Sequence, residues 1–364
     1  MKKRVLVAMS GGVDSSIASF IMHERGYEVI GITMKTWDYN NLLGNKKSIG
    51  CCSLNDINDA RNISVKLGFS HIVLDIRKDF ENYIIDYFIK EYLSGRTPNP
   101  CILCNVYIKW NILLEKANIL NCSFIVTGHY ANITKINKRF VISKSKDKKK
   151  DQSYALWGIS QDNLKKTIFP LGNLMKKEVK FFAKKKNLNI LLEKSESYEI
   201  CFIPNNNYRL FLKNKLVGSN YTINSGEFVL RDGTILGYHQ GYPFYTIGQR
   251  KGINIFLGYP VYVVDLEKKY NRVILGSFIE LSKIGIYVNN INIVKYFCLN
   301  KKKMNVITKI NYNDIGTPSI LEKLDDNKIK ITFSKKIYGS TPGQSAVFYE
   351  HDDLIGGGFI LSTF

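Results

Sequence analysis

The first half of the chain alternates compact apolar runs with longer stretches in which apolar residues recur every three or four positions. "RVLVAM" (4–9) reads as a buried strand, and "YEVIGITM" (27–34), "HIVLDI" (71–76) and "SFIVTGHY" (123–130) as further strands. They are short, rich in Val and Ile, and bounded by turn residues. Between them the pattern predicts helices over about 15–25, 55–67, 79–93 and 100–119. Such alternation builds a parallel sheet with helices on both faces, a doubly wound α/β domain. "SKSKDKKKD" (143–151) predicts a charged, mobile loop, and "MKKEVKFFAKKKNLNI" (175–190) a basic helix that closes the domain.

After "CFIP" (201–204) the texture changes. From about 210 the chain is rich in Gly, Tyr and turn residues, as in "RDGTILGYHQGYPFYTIGQRKG" (231–252). Beyond 280, short alternating segments such as "NKIKITFS" (327–334), "QSAVFYEHDD" (344–353) and "IGGGFIL" (355–361) predict a small barrel or sandwich. The expected division is therefore 1–207, 208–280 and 281–364.

At 364 residues the chain is too long for one ordinary core, which agrees with several domains. The 45% hydrophobic and 12% aromatic content is that of a folded protein. The apolar runs are short, so no membrane span is expected, and "MKKRVLVAM" turns into "SGGVDSS" where a signal peptide would continue apolar. A cytoplasmic protein is expected. The net charge of +21 points to a polyanionic partner, although the abundance of Lys, Asn and Ile also fits a genome rich in A and T.

"VLVAMSGGVDSS" (5–16) runs from a strand through a Gly-rich turn into a helix, presenting backbone N–H groups and a positive helix end to an anion. It has neither the lysine of a P-loop nor the spacing of a dinucleotide fingerprint. Gly11 and Gly12 permit the turn, and Ser10, Ser15 and Ser16 can donate to phosphate oxygens. Asp14 beside phosphate calls for an intervening cation, from which Mg2+ is inferred. The motif resembles the PP-loop of ATP pyrophosphatases, which split ATP into AMP and pyrophosphate while adenylating a carbonyl oxygen.

Seven cysteines (51, 52, 101, 104, 122, 201, 298) are too few and too scattered for a disulfide framework. In "TPNPCILCN" (97–105), Asn99 suits a helix N-cap and Pro100 its first position, so Cys101 falls in the first turn and Cys104 one turn deeper. A helix N-terminus favours thiolate, with Arg96 and Lys109 adding positive charge. Half a zinc site, a redox couple and a catalytic thiol all remain open at this point. Zinc lacks a second matching pair, because Cys51 and Cys52 are adjacent, and an iron–sulfur cluster on three cysteines is a further outsider. Cys201 is expected at a strand end, and Cys122 and Cys298 in inert, apolar or strand-like surroundings.

"SGGVDSS", "GRTPNPCILCNVYIKW", "VTGHYA", "KDQSYALW", "EICFIP", "GYPFYTIGQRKG" and "TPGQSAVFY" occur in this order across nearly the whole chain. Together they closely resemble the bacterial tRNA-specific 2-thiouridylase family, the MnmA type. The resemblance implies a PP-loop domain, a small central tRNA-binding domain and a C-terminal β-barrel. It implies adenylation of the C2 oxygen of the wobble uridine in tRNAs for Lys, Glu and Gln, then sulfur transfer from a cysteine persulfide. It places the persulfide on Cys201, charged by a cysteine desulfurase through a sulfur relay, with Cys104 as its partner. Cys104 would release hydrosulfide or resolve the persulfide as a Cys104–Cys201 disulfide.

By the same resemblance ATP is bound by Ala8, Met9, Ser10, Gly11, Gly12, Val13, Asp14 and Ser15, with Met34 and Gly128. Asn99, Pro100 and Cys101 match the base-binding segment. His129, Lys150, Asp151, Gln152, Asn311, Tyr312 and Gln344 match tRNA-contacting positions. No zinc or iron–sulfur cluster is expected. Two departures stand out: Cys101 occupies a position where some members carry Asp, and Asn311 one where Arg is usual. The competing readings are a non-thiolating amidotransferase-like ligase, for which no glutaminase domain is apparent, and a tRNA binder without sulfur chemistry.

Overall fold

The computed structural model describes residues 2–37, 54–188, 192, 200–203, 206–219, 221–299 and 302–364. Five parallel strands, β1 (Arg4–Ala8), β2 (Glu28–Lys35), β3 (Ser70–Asp75), β4 (Phe124–Val126) and β7 (Thr167–Ile168), form one sheet. Its order is β3-β2-β1-β4 followed by Thr167–Ile168, so the chain reverses direction of growth beside β1. Strand periodicity divides the core in two. Val5 and Val7 of β1 join Ile17 and Met22 of helix α1 (Val13–Glu24), Ile63 of helix α2 (Leu54–Leu67) and Val179 on one face. Leu6 joins Trp110, Leu113 and Ala117 on the other. Both faces are covered, as a doubly wound sheet requires.

The predicted helices over 79–93 and 100–119 are each broken into segments. Glu81–Ile85 and Cys104–Ile112 are π-helical, lying within helical runs that begin at Arg77 and Pro100. Such insertions widen the helix locally and recur at functional sites. Here one begins at Cys104.

Two expectations fail in this half of the molecule. Residues 143–151 are not a mobile loop. "ANITKINKRFVISK" folds as a hairpin of β5 (Ala131–Ile136) and β6 (Arg139–Lys144), and the segment after it is pinned from within. Asp151 accepts from the Ser145 backbone at 2.9 Å and the Ser153 hydroxyl at 2.8 Å, and Asp147 accepts from the Lys176 backbone at 2.9 Å. Burying short Asp and Ser side chains satisfies these backbone groups, so the lysines between them point outward without freeing the chain. Second, Cys201 lies in a turn at residues 200–203 rather than at a strand end, with the Ile203 amide bonded to the Ile200 carbonyl.

The central region forms a four-stranded sheet from β8 (Gly226–Val229), β9 (Ile235–His239), β10 (Tyr262–Glu267) and β11 (Arg272–Gly276), ordered β10-β11-β8-β9. Its apolar face shares a core with the helical run 77–93. Phe202 meets Phe80, Phe88 and Phe211 at ring-centroid distances of 5.6, 5.3 and 5.4 Å.

The C-terminal strands are β12 (Lys283–Ile293), β13 (Lys303–Lys309), β14 (Thr317–Lys323), β15 (Lys328–Ile337), β16 (Ser345–Glu350) and β17 (Asp353–Thr363). They close through β12–β17 pairing into a six-stranded barrel. β17 also pairs with β6, so a hairpin from the first domain extends the barrel sheet. Val347, Tyr349 and Leu354 of the barrel belong to the core that holds Leu6 and Trp110. Apolar packing is therefore continuous from the parallel sheet into the barrel.

Candidate active site

The strand β1 ends at Ala8, and Met9 still bonds the Ile32 carbonyl from its amide at 2.8 Å. Gly11 then turns at φ +69°, and a Cβ there would lie 2.4 Å from the Asp56 carbonyl oxygen. Only glycine fits both the left-handed backbone and that approach. Gly12 precedes α1, and Val13 opens the helix. The hydroxyls of Ser15 and Ser16 are turned back on the Gly12 carbonyl, at 3.2 and 2.8 Å. Ser16 is fully buried, so its expected role as a phosphate donor is not available in this arrangement. Ser10 is exposed, its amide bonded to the Ser15 hydroxyl at 3.1 Å.

Gly128 faces this loop from the end of β4. A side chain there would meet the Asp14 carbonyl carbon and the Ser15 amide nitrogen at 2.9 Å, so "TGHY" packs backbone to backbone against the first turn of α1. Met34, half-buried near the end of β2, packs against the same cores as Ile32 and Leu74.

Asp14 has partners that the sequence did not disclose. Lys176, from the basic helix Lys176–Lys185, donates to both carboxylate oxygens at 2.7 Å, and the Tyr130 hydroxyl donates to one of them at 2.8 Å. Lys176 is 9% exposed. The cation that Asp14 calls for is thus already present as an ammonium group, and the inference of Mg2+ from Asp14 loses its basis. Tyr130 is fixed in turn by Gln152, whose side-chain oxygen accepts from the Tyr130 amide at 2.9 Å.

His129 is packed between Trp110 and Phe169 at 5.7 and 5.8 Å. Lys109 Nζ lies 3.3 Å from Nε2, and Thr127 Oγ1 lies 2.6 Å from Nδ1. An ammonium can only donate, so Nε2 is the acceptor and Nδ1–H donates to Thr127. Burial, reinforced by Lys109, holds this imidazole well below its usual pKa, and it stays neutral.

Pro100 is the first residue of its helix, as expected, but Asn99 makes no capping bond. Its side chain lies near the Tyr154 hydroxyl, which donates to the Ser345 carbonyl at 2.8 Å. Arg96 does not lend its charge to the cysteines, because its guanidinium is paired with the buried Glu91. Lys109 does act on Cys101. The Cys101 side chain is reached by solvent, yet the crowded recess around it raises its thiol pKa, with Lys109 opposing. This is the reverse of the activation expected for that residue at a helix N-terminus.

Cys104 and Cys201 are half-buried, and both border the apolar core shared by the helical run 77–93 and the central sheet. Cys122 is buried and pushed up to about 11, as an inert thiol would be, whereas Cys298 is exposed rather than apolar in its surroundings. Cys51 and Cys52 lie outside the described residues. Among the described residues no group of three or more His, Cys, Asp or Glu could hold a metal ion.

Of the remaining positions, Gln344 reaches the residues just before Asn99 by donating to the carbonyls of Thr97 and Pro98. Asp151 is turned inward, as described above, and Lys150 is half-exposed. Asn311 and Tyr312 are exposed on the β13–β14 turn, where Tyr312 sets its ring edge-on to Tyr154 at 6.3 Å.

Three family models match successive parts of the chain. Residues 3–205 match a tRNA methyl transferase HUP domain, 211–277 a tRNA methyl transferase PRC-barrel domain, and 284–360 an aminomethyltransferase β-barrel domain. A tRNA-specific 2-thiouridylase of Amoebophilus asiaticus is 55% identical over 365 residues, covering 100% of this chain and 97% of the relative. One from Cytophaga hutchinsonii is 55% identical, covering 100% and 98%, and one from Salinibacter ruber 47%, covering 99% and 94%. The chain belongs to the tRNA-specific 2-thiouridylase family. In family terms, the PP-loop domain contributes the glycine-rich loop and "TGHY", the central domain backs the two cysteines, and the barrel touches Thr97 and Pro98. No helix among the described residues is long and apolar enough to cross a membrane.

Proposed function

We propose that this protein is an ATP-dependent tRNA-uridine 2-sulfurtransferase acting on the wobble uridine of tRNAs for Lys, Glu and Gln. The observation that carries the reading is the pairing of an anion loop backed by Gly128 with two half-buried cysteines on one core. The domain descriptions name methyl transfer, but an adenylating loop with paired thiols suits thiolation.

Uracil C2 is a weak electrophile and its oxygen a poor leaving group. ATP supplies adenylation, with loss of pyrophosphate, which makes that oxygen leave as AMP. The residues from Ala8 to Ser15, with Met34 and Gly128, would hold the nucleotide. Exposed Ser10 and the backbone N–H groups face its phosphates, while Lys176 neutralises Asp14 so that the loop does not repel them. Mg2+ would arrive as the ATP chelate rather than on Asp14.

Asn99, Pro100 and Cys101 would receive the uridine. Cys201 carries the sulfane sulfur, delivered by a persulfide donor fed from a cysteine desulfurase. In one route that sulfur attacks C2 and expels AMP, and Cys104 then attacks the Cys201 sulfur, leaving the thiouridine. In the other, Cys104 attacks first and frees hydrosulfide, which attacks C2. Both routes end with a Cys104–Cys201 disulfide, which a dithiol reductant must reduce before the next cycle. Lys150, Gln152, Asn311 and Tyr312 would touch the RNA, and a cytoplasmic location follows from such a substrate.

Thiouridine gel retardation with ATP, tRNA and a persulfide donor tests the reading: a retarded band is expected, and tRNA-dependent pyrophosphate release without thiolation would sink it.

A further inference from the structure

The barrel turn before β16 is seated in the first domain. Thr97 donates its amide to the Pro342 carbonyl at 2.9 Å, and the Gln344 side-chain nitrogen donates to the carbonyls of Thr97 and Pro98 at 3.3 and 3.0 Å. Gly343, at φ +92°, lies so close that a Cβ would meet the Thr97 oxygen at 2.7 Å and Glu91 Oε2 at 3.0 Å. Beside the same turn, Arg96 is locked to Glu91, itself 7% exposed, through Nε–Oε2 at 2.8 Å. The three backbone polar groups of Thr97 and Pro98 that precede Asn99 are therefore satisfied by the barrel. Without those partners they would be left unmade in a largely covered place, which is costly.

We infer that Gln344 and Gly343 are positioning residues, holding residues 97–99 from the barrel so that Asn99 to Cys101 present a fixed surface to the base. Gln344 would then act on the reaction through Thr97 and Pro98 rather than as an RNA ligand. The two donor hydrogens of the Gln344 amide suffice for two successive carbonyls. Tyr154, whose hydroxyl lies near the Asn99 side chain, donates to the barrel carbonyl of Ser345 at 2.8 Å. The inference rests on the proposed thiolation for its catalytic readout, but not for its structural one.

The test uses the full chain with Gln344→Glu, which keeps the shape and loses the donors, and Gln344→Met, which does so without adding charge. Hydrogen exchange of the segment 96–104 is measured first, without RNA or ATP. Steady-state thiolation and tRNA binding follow. Faster exchange confined to that segment is expected, with kcat reduced tenfold or more and the tRNA Kd within twofold of wild type. Gly343→Ala should act in the same direction. Unchanged exchange overturns the inference, and so does faster exchange with kcat unaltered. Weakened tRNA binding at normal kcat would mark Gln344 as an RNA contact instead. If the wild type itself does not thiolate, the reaction is wrong while the exchange result still stands on its own.

Discussion

The Lys176 ammonium lies 2.7 Å from both carboxylate oxygens of Asp14, although the two residues are 162 positions apart. The pair ties the first turn of the anion-loop helix to the start of the basic helix, and Tyr130 adds a third bond at 2.8 Å. Removing Lys176 leaves a carboxylate uncompensated beside the place proposed for phosphates. Losing a charge-assisted hydrogen bond costs about 1.5–3 kcal/mol, on the order of tenfold to a hundredfold in a rate. Lys176→Met should therefore lower tRNA-dependent pyrophosphate release by that factor, with Lys176→Arg recovering part of it. Equal rates in Lys176→Met and wild type would contradict the role.

Gly128→Ala forces a methyl against the backbone of Asp14 and Ser15 at 2.9 Å, and neither can swing away as a side-chain tip would. The loop and "TGHY" must separate. The KM for ATP should rise about tenfold or more, corresponding to roughly 1.4 kcal/mol, while barrel contacts and tRNA affinity stay unchanged. An unaltered KM would show that the spacing does not matter to nucleotide binding.

His129 gives a pH signature. Its folded pKa is well below the value near 6.5 of an unfolded histidine, so below that pH the unfolded state takes up a proton that the folded state refuses. Stability is thus fully present above about pH 6.5 and declines as the pH falls toward the folded value. His71 and His239 are lowered in the same sense by burial. Thermal melts at pH 7.5 and 5.5 should show a smaller acid-induced loss of Tm for His129→Gln than for wild type. An equal loss in both would remove His129 from the account.

Cysteine reactivity separates the thiols. At pH 8, Cys122, buried and held near 11, should resist iodoacetamide in the native state, whereas exposed Cys298 should react readily. Peptide mapping of alkylated native protein reads this out, and rapid modification of Cys122 would contradict its burial. Replacing Cys122 by Ala should leave thiolation unchanged.

Much of the fold was legible because its signals are local. The strands of the parallel sheet announced themselves as short runs of Val and Ile, although the edge strand Ser70–Asp75 is only partly covered, and the anion loop as glycines between a strand and a helix. What stayed hidden depended on distant partners. Nothing in "MKKEVKFF" distinguishes Lys176 from its lysine neighbours until the fold brings Asp14 to it. The run 143–151 looked mobile because its lysines mask Ser145, Asp147 and Asp151, whose bonds to backbone groups fix it. The β5–β6 hairpin did leave a signal, alternation on either side of Asn137 and Lys138, both at positive φ. Asn99 resembles a helix cap, yet it makes no capping bond where the fold sets its side chain near Tyr154.

The central claim is that Cys104 and Cys201 carry sulfur chemistry on a nucleotide-activated uridine. One comparison tests it most directly: thiolation of a wobble-uridine tRNA with ATP and a persulfide donor, for wild type, Cys201→Ser and Cys104→Ser, with nucleotide binding measured in parallel. Wild type should yield the retarded thiouridine band, and each variant should yield none while still binding ATP. A thiouridine band from either variant would contradict the claim.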